Sequence, residues 1–198
     1  FKLVGMKDYP GDPASGVGVR YQHEDFPTVR LDLFVYPTGR ADRDTVLASG
    51  MEEVRRALES AEAQGNYSGL EMGDVVDFDL RRVGADGSLL PPSEQARPDR
   101  RATDAEVLVA VAKGADYRIG RLLEARFKVR DQALDSRAYL FYRGLYLIKG
   151  RISGSPIDLP REAFDRFTHH AMATLVPVLA TRSTGGCFKR EIFVDPDA

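Results

Sequence analysis

The stretch SRAYLFYRGLYLIKGRIS, Ser136 to Ser153, constrains this chain more than any other. Two aromatic and aliphatic runs flank Arg143-Gly144, which reads as a two-residue hairpin turn. With that turn Phe141 faces Tyr146 and Tyr139 faces Ile148 on one side of the sheet. Tyr142 then faces Leu145, and Leu140 faces Leu147, on the other side. Apolar residues on both faces near the turn require cover on both sides, as helices flanking a sheet provide. Away from the turn one face becomes Lys149 and Arg151, beside Ala138 and Ser136. Tyr139, Phe141 and Tyr146 read as cross-strand packing. Tyr142, near the turn, is the aromatic expected to meet a partner.

Period-two alternation marks further strands. GVGVRYQ places Val17, Val19 and Tyr21 on one face. TVRLDLFVYP places Val29, Leu31, Leu33 and Val35 on one side, with Arg30, Asp32, Phe34 and Tyr36 on the other. HEDFP between them is a turn that makes the pair antiparallel. VVDFDLRRV directs Val76, Phe78 and Leu80 inward and Asp77, Asp79 and Arg81 outward. YRIGRLLEARFKVR sends Tyr117, Ile119, Leu123, Ala125, Phe127 and Val129 to one face. Arg118, Leu122, Glu124, Arg126, Lys128 and Arg130 take the other. KREIFV fits a short edge strand.

Two stretches follow the helical period instead. One starts near Asp44 as N-cap, stops at Gly65, and carries the stripe Leu47, Met51, Val54, Leu58 and Ala61. The other has Asp158 as N-cap and Pro160 in its first turn, with Phe164, Phe167, Ala171, Leu175 and Val178 as the buried stripe. Pro177 is expected to kink its last turn. The segment from Gly84 to Asp104 has no periodicity and reads as an irregular insert. In DAEVLVAVAK, Asp104 to Lys113, a capping box of Thr103 and Glu106 favours helix while the valines favour strand. The order ββαβ, insert, βββα predicts one α+β domain over residues 1–198: an antiparallel sheet covered by two main helices, an αβα sandwich.

A chain of 198 residues suffices for one well-buried core and is short for two. The net charge of −2 supplies no global field toward nucleic acid or anionic membrane, and no apolar run is long enough to cross a bilayer. The single cysteine, Cys187, excludes an intrachain disulfide. The chain opens on Phe1 rather than Met, so the expectation is an exported, processed protein of the periplasm or envelope, with the cytoplasm as the alternative.

No motif commits the chain to catalysis. Cys187 lies in TGGCFKR, where Lys189 and Arg190 could lower a thiol pKa, which keeps a Cys-dependent hydrolase open as an alternative. His169 and His170 are neighbours on a helix and point about 100° apart, so they cannot act as an i, i+4 ligand pair. They and His23-Glu24-Asp25 read as solvated groups. Asp77 and Asp79 share a strand face and read as partners for an Arg-rich neighbour rather than an acid–base pair. No cofactor motif is present. Arg118, Arg126, Lys128 and Arg130, with Lys149 and Arg151 nearby, make the largest inferred basic face. It could hold an acidic partner or a small anion, or stand as a solvated strand face. Glu124 and Leu122 between those charges replace the aromatics that single-stranded nucleic acid would need.

The hairpin pattern S-x-x-Y-L-x-Y-x-G-x-x-x-x-x-x-R, Ser136 to Arg151, lies ahead of a C-terminal helix. It resembles bacterial members of the PsbP-like superfamily, which are αβα sandwiches on an antiparallel sheet. Members are mostly accessory proteins: photosystem subunits, envelope lipoproteins, adaptors and secretion chaperones. The resemblance implies binding rather than catalysis, with a protein partner, and transfers no catalytic residue. The insert from Gly84 to Asp104 has no counterpart in it.

Overall fold

Alternation along one strand assigns its neighbours to opposite cores. The computed structural model describes residues 1–9, 12, 15–39, 41–91, 117–183 and 190–193. Its strands are β1 (Lys2–Asp8), β2 (Val17–Gln22), β3 (Arg30–Pro37), β4 (Ser68–Asp79), β5 (Ile119–Val129), β6 (Gln132–Arg143) and β7 (Tyr146–Gly154). They form one antiparallel sheet in the order β1-β2-β3-β7-β6-β5-β4. Helix α1 (Arg43–Ala63) and helix α2 (Arg161–Val178) pack on opposite faces. A separate hairpin joins β8 (Ala180–Ser183) to β9 (Arg190–Phe193).

In β6 the two cores meet residue by residue. Tyr139 and Phe141 are fully buried with Ile148, Leu31, Leu33, Phe164 and Met172 on the α2 side. Leu140 and Tyr142 are buried with Leu147, Leu47, Met51 and Leu58 on the α1 side. Successive side chains of a strand point to opposite faces, so a strand with cover on both sides must be apolar throughout. That is the physical origin of the YLFY run. The expected α+β class, sheet and two helices are all present.

Several details differ from the sequence expectation. Strand β1 carried no clear alternation, and all seven of its residues are exposed, so there was no inward face to leave a pattern. The hairpin turn is Gly144-Leu145, with Arg143 opposite Tyr146 and Phe141 opposite Ile148. Gly144 takes φ +63°, the left-handed conformation that the first turn residue needs and that Arg would resist. The two-residue shift in register leaves every side chain on its expected face. The β5–β6 turn uses Arg130 and Asp131, both at positive φ.

Helix α1 begins two residues earlier than Asp44 suggested. Asp42 is its N-cap, accepting from the Thr45 amide at 2.8 Å, and the helix closes at Gln64. Helix α2 starts after Pro160 rather than Asp158, because Asp158 accepts a hydrogen bond from Thr28 Oγ1 at 2.5 Å. Its buried face is Phe164, Thr168, His169, Ala171, Met172 and Val176, rotated from the expected stripe; Phe167 and Leu175 are half-buried and Val178 is exposed. Val76 is 48% exposed although it shares the face of buried Phe78, because it lies on the edge strand of the sheet, while Val75 packs on the α1 side. Cys187, the ambiguous stretch 104–113 and most of the insert lie outside the described residues. The described start of the insert, to residue 91, forms a tight loop with a Val83–Leu89 bridge. Gly87 in that loop has φ +81°, and a Cβ there would stand 1.9 Å from the Arg166 carbonyl of α2.

Candidate binding groove

The expected basic face is split by the sheet. Residues of β5 with even numbers share the α2 side with Leu122 and Tyr139, whereas Lys149 and Arg151 of β7 share the α1 side with Leu147. Arg126 and Lys128 therefore lie across the sheet from Lys149 and Arg151, while Arg118 and Arg130 fall just beyond the two ends of β5. The six do not form one patch. Arg126 Nε donates to buried Asp135 at 3.1 Å, and Arg118 lies over the Tyr117 ring at 5.8 Å. Lys128 is exposed, and Arg130 is exposed in its turn.

Tyr142 is not at a free rim. It is buried, its hydroxyl donates to the Gly39 carbonyl at 2.9 Å and accepts from the Ala41 amide at 3.3 Å. The phenol thus holds the segment leading into α1 against the sheet. His169, expected in solvent, is buried against Phe78 and Tyr139, while His170 beside it is exposed. Burial lowers the His169 pKa, outweighing the nearby Asp165 carboxylate and a hydrogen bond to the Gly87 backbone, both of which raise it. His23 accepts from the Asp25 and Phe26 amides at 3.1 and 3.2 Å and stacks among Phe1, Phe26 and Phe167. Asp77 pairs with Arg121 directly across the β4–β5 ladder. Asp79 pairs with Arg81 two residues on, at 2.6 Å. Among the described residues no cluster of His, Cys, Asp and Glu could hold a metal ion.

A different set of residues converges on the α1 face. Helix α1 rests mainly on β4, β5 and β6 and reaches Leu147 of β7, leaving β1, β2 and the Lys149–Arg151 stretch of β7 open beside it. A groove follows the helix flank, with Lys149 at the junction of two cavities of about 230 and 460 Å³. A third, of about 350 Å³, continues over β1 and β2. The Lys149 ammonium lies 4.7 Å from the Phe34 ring centre and 5.1 Å from that of Tyr36. Arg151 donates to the Tyr67 hydroxyl at 2.9 Å and lies 5.7 Å from both the Tyr67 and Phe127 rings. Arg20 is engaged by Asp32 at 2.5 Å. Burial, then the Arg151 charge, lowers the Lys149 pKa, while Glu53 and Asp32 oppose the shift. Burial pushes the Tyr36 phenol up to about 12, so it remains a neutral hydrogen-bonding group.

The sequence brought Lys149 and Arg151 forward but not Arg20, Asp32, Phe34 or Tyr36. The signal for Asp32, Phe34 and Tyr36 was present as the half-polar face of TVRLDLFVYP, and Arg20 stands in GVGVRYQ. What it lacked was strand order, because β3 and β7 become neighbours only through a crossover.

No family model and no curated protein matches the chain. Among solved structures it is similar to PA94 from Pseudomonas aeruginosa, a protein of unknown function described as a candidate regulator. The TM-score is 0.42 and the identity 16%, covering 83% of each chain. A likeness of that strength assigns nothing to this chain. No described helix is long and apolar enough to cross a membrane.

Proposed function

We propose that this protein is a non-catalytic accessory or adaptor protein of the cell envelope, and that a protein partner adds to the edge of β1. The observation that carries this reading is the apolar surface of that edge. Phe1, Leu3, Val4, Met6 and Tyr9 are all large, all within nine residues, and between 37% and 72% exposed. Among the described residues strand β1 pairs only with β2, so its outer backbone groups stand ready for another strand. An extended segment of a partner can supply those hydrogen bonds while burying alternate side chains beside Leu3 and Met6. Lys2 and Lys7, with the irregularity between Leu3 and Gly5, discourage unselective pairing. The envelope setting is supported by the hairpin's resemblance to PsbP-like proteins.

Affinity capture from the envelope fraction of the source organism tests the reading with two baits, the natural chain and Met6→Lys. The expected result is a protein retained reproducibly by the natural chain and lost from the variant. No retained protein, or one held equally by both baits, would contradict it.

A further inference from the structure

We propose that the cavity at Lys149 and Arg151 is a binding site for a small monocarboxylate with a short apolar tail. The two cations stand two residues apart on one face of β7, roughly 7 Å between Cα atoms. Both are half-buried, and among the described residues neither has a carboxylate within ion-pair distance. Arg20, Arg121, Arg126, Arg137 and Arg161 all do. Two like charges held side by side, with Asp32 and Glu53 reaching Lys149 only from beyond ion-pair distance, destabilise the free protein. The ring faces of Phe34, Tyr36, Tyr67 and Phe127 offset part of that cost. An anion would offset the rest, accepting from the Lys149 ammonium and from the Arg151 N–H groups not committed to Tyr67.

The walls define the rest of the ligand. Ala57, Ala125 and Ala138 are small and open the space, while Val54, Leu58 and Leu123 make it apolar. A carboxylate at the cations would therefore lay an alkyl tail against these apolar side chains. At about 230 Å³ this compartment falls below the roughly 300–1,000 Å³ that suits drug-sized ligands, so a short alkyl tail fills it. Asp32 and Glu53, whose charges both reach Lys149, disfavour a second negative charge, so a monoanion fits better than phosphate.

Isothermal titration with hexanoate, acetate, hexylamine and inorganic phosphate tests each part of this assignment. Hexanoate should bind the natural chain at least tenfold more tightly than the other three probes. Lys149→Met and Arg151→Met should each weaken hexanoate at least tenfold, while Arg130→Met, on the exposed turn, leaves it unchanged. Each of the two methionine variants also removes one member of a like-charge pair, so its melting temperature without ligand should equal or exceed that of the natural chain. Absence of hexanoate binding would overturn the proposal, as would phosphate or acetate binding equally well. Weakened binding accompanied by a lowered melting temperature would give the two residues a structural role instead, and would overturn it too.

Discussion

Arg137 shows how a single charged residue is made to fit inside this sheet. Only 1% of it is exposed, and it belongs to the same β6 run as Tyr139 and Phe141. Its Nε donates to Asp165 Oδ1 at 2.7 Å and its Nη1 to the Ser136 carbonyl at 3.0 Å. Its Nη2 lies 2.6 Å from the same Asp165 oxygen at an angle too poor for a hydrogen bond, so that contact is one of charge. Glu124 adds a more distant charge at 3.6 Å, and the guanidinium lies over Phe164 at 5.5 Å. Removing one partner of a buried ion pair costs more than replacing the buried ion with an apolar group of similar size. Asp165→Ala should therefore destabilise the protein by about 3 kcal/mol, and Arg137→Met by less, as measured by urea unfolding. The reverse ranking would show that the pair does not stabilise Arg137 as described. His169 gives a second test. Its folded-state pKa lies below the ordinary value of 6.5. The unfolded chain then takes up more protons as the pH falls through about 6.5. The contribution of His169 is thus complete above that pH and lost below it, toward the folded-state value. Melting curves between pH 5 and 7.5 should show a shallower decline for His169→Gln than for the natural chain, and equal slopes would contradict the assignment.

At the scale of elements, the β6–β7 hairpin depends on one backbone conformation. Gly144→Ala places a Cβ at φ +63°, in open space, so the expected cost is that of the left-handed conformation alone, about 1 kcal/mol. Thermal unfolding measures it, and no loss would mean that the turn tolerates another geometry. Strand β1 behaves oppositely. Met6 is 72% exposed, so Met6→Lys should leave the melting temperature within error while abolishing partner capture. Elements were legible in the sequence wherever one face was buried and the other wet. Strands β2 and β3 and helix α1 announced themselves through Val19, Leu33 and Leu47 for that reason. Strand β1 has no buried residue, and β4 passes through an irregular register near Val75, so neither left a clean period-two pattern. The stripe of α2 was misread because polar Thr168 and His169 are buried there. Thr168 earns its place by a 2.8 Å hydrogen bond to the Tyr139 hydroxyl.

For the whole molecule, the sheet is covered twice at its centre and open at one end. The doubly apolar YLFY run required that two-sided cover, and both helices provide it. What the chain order could not reveal was where that cover stops. Helix α1 reaches β7 at Leu147 but leaves its Lys149–Arg151 stretch uncovered, and this decides the groove around those two residues. Strand register and side-chain alternation put the basic residues read as one patch on two sides of the sheet. The most direct test of binding at the β1 edge is amide hydrogen exchange on the captured complex. Slowed exchange in Lys2–Asp8, with β4 at the far edge unchanged, is the predicted result. A partner that protects other amides and leaves those of β1 exchanging as in the free protein would contradict it.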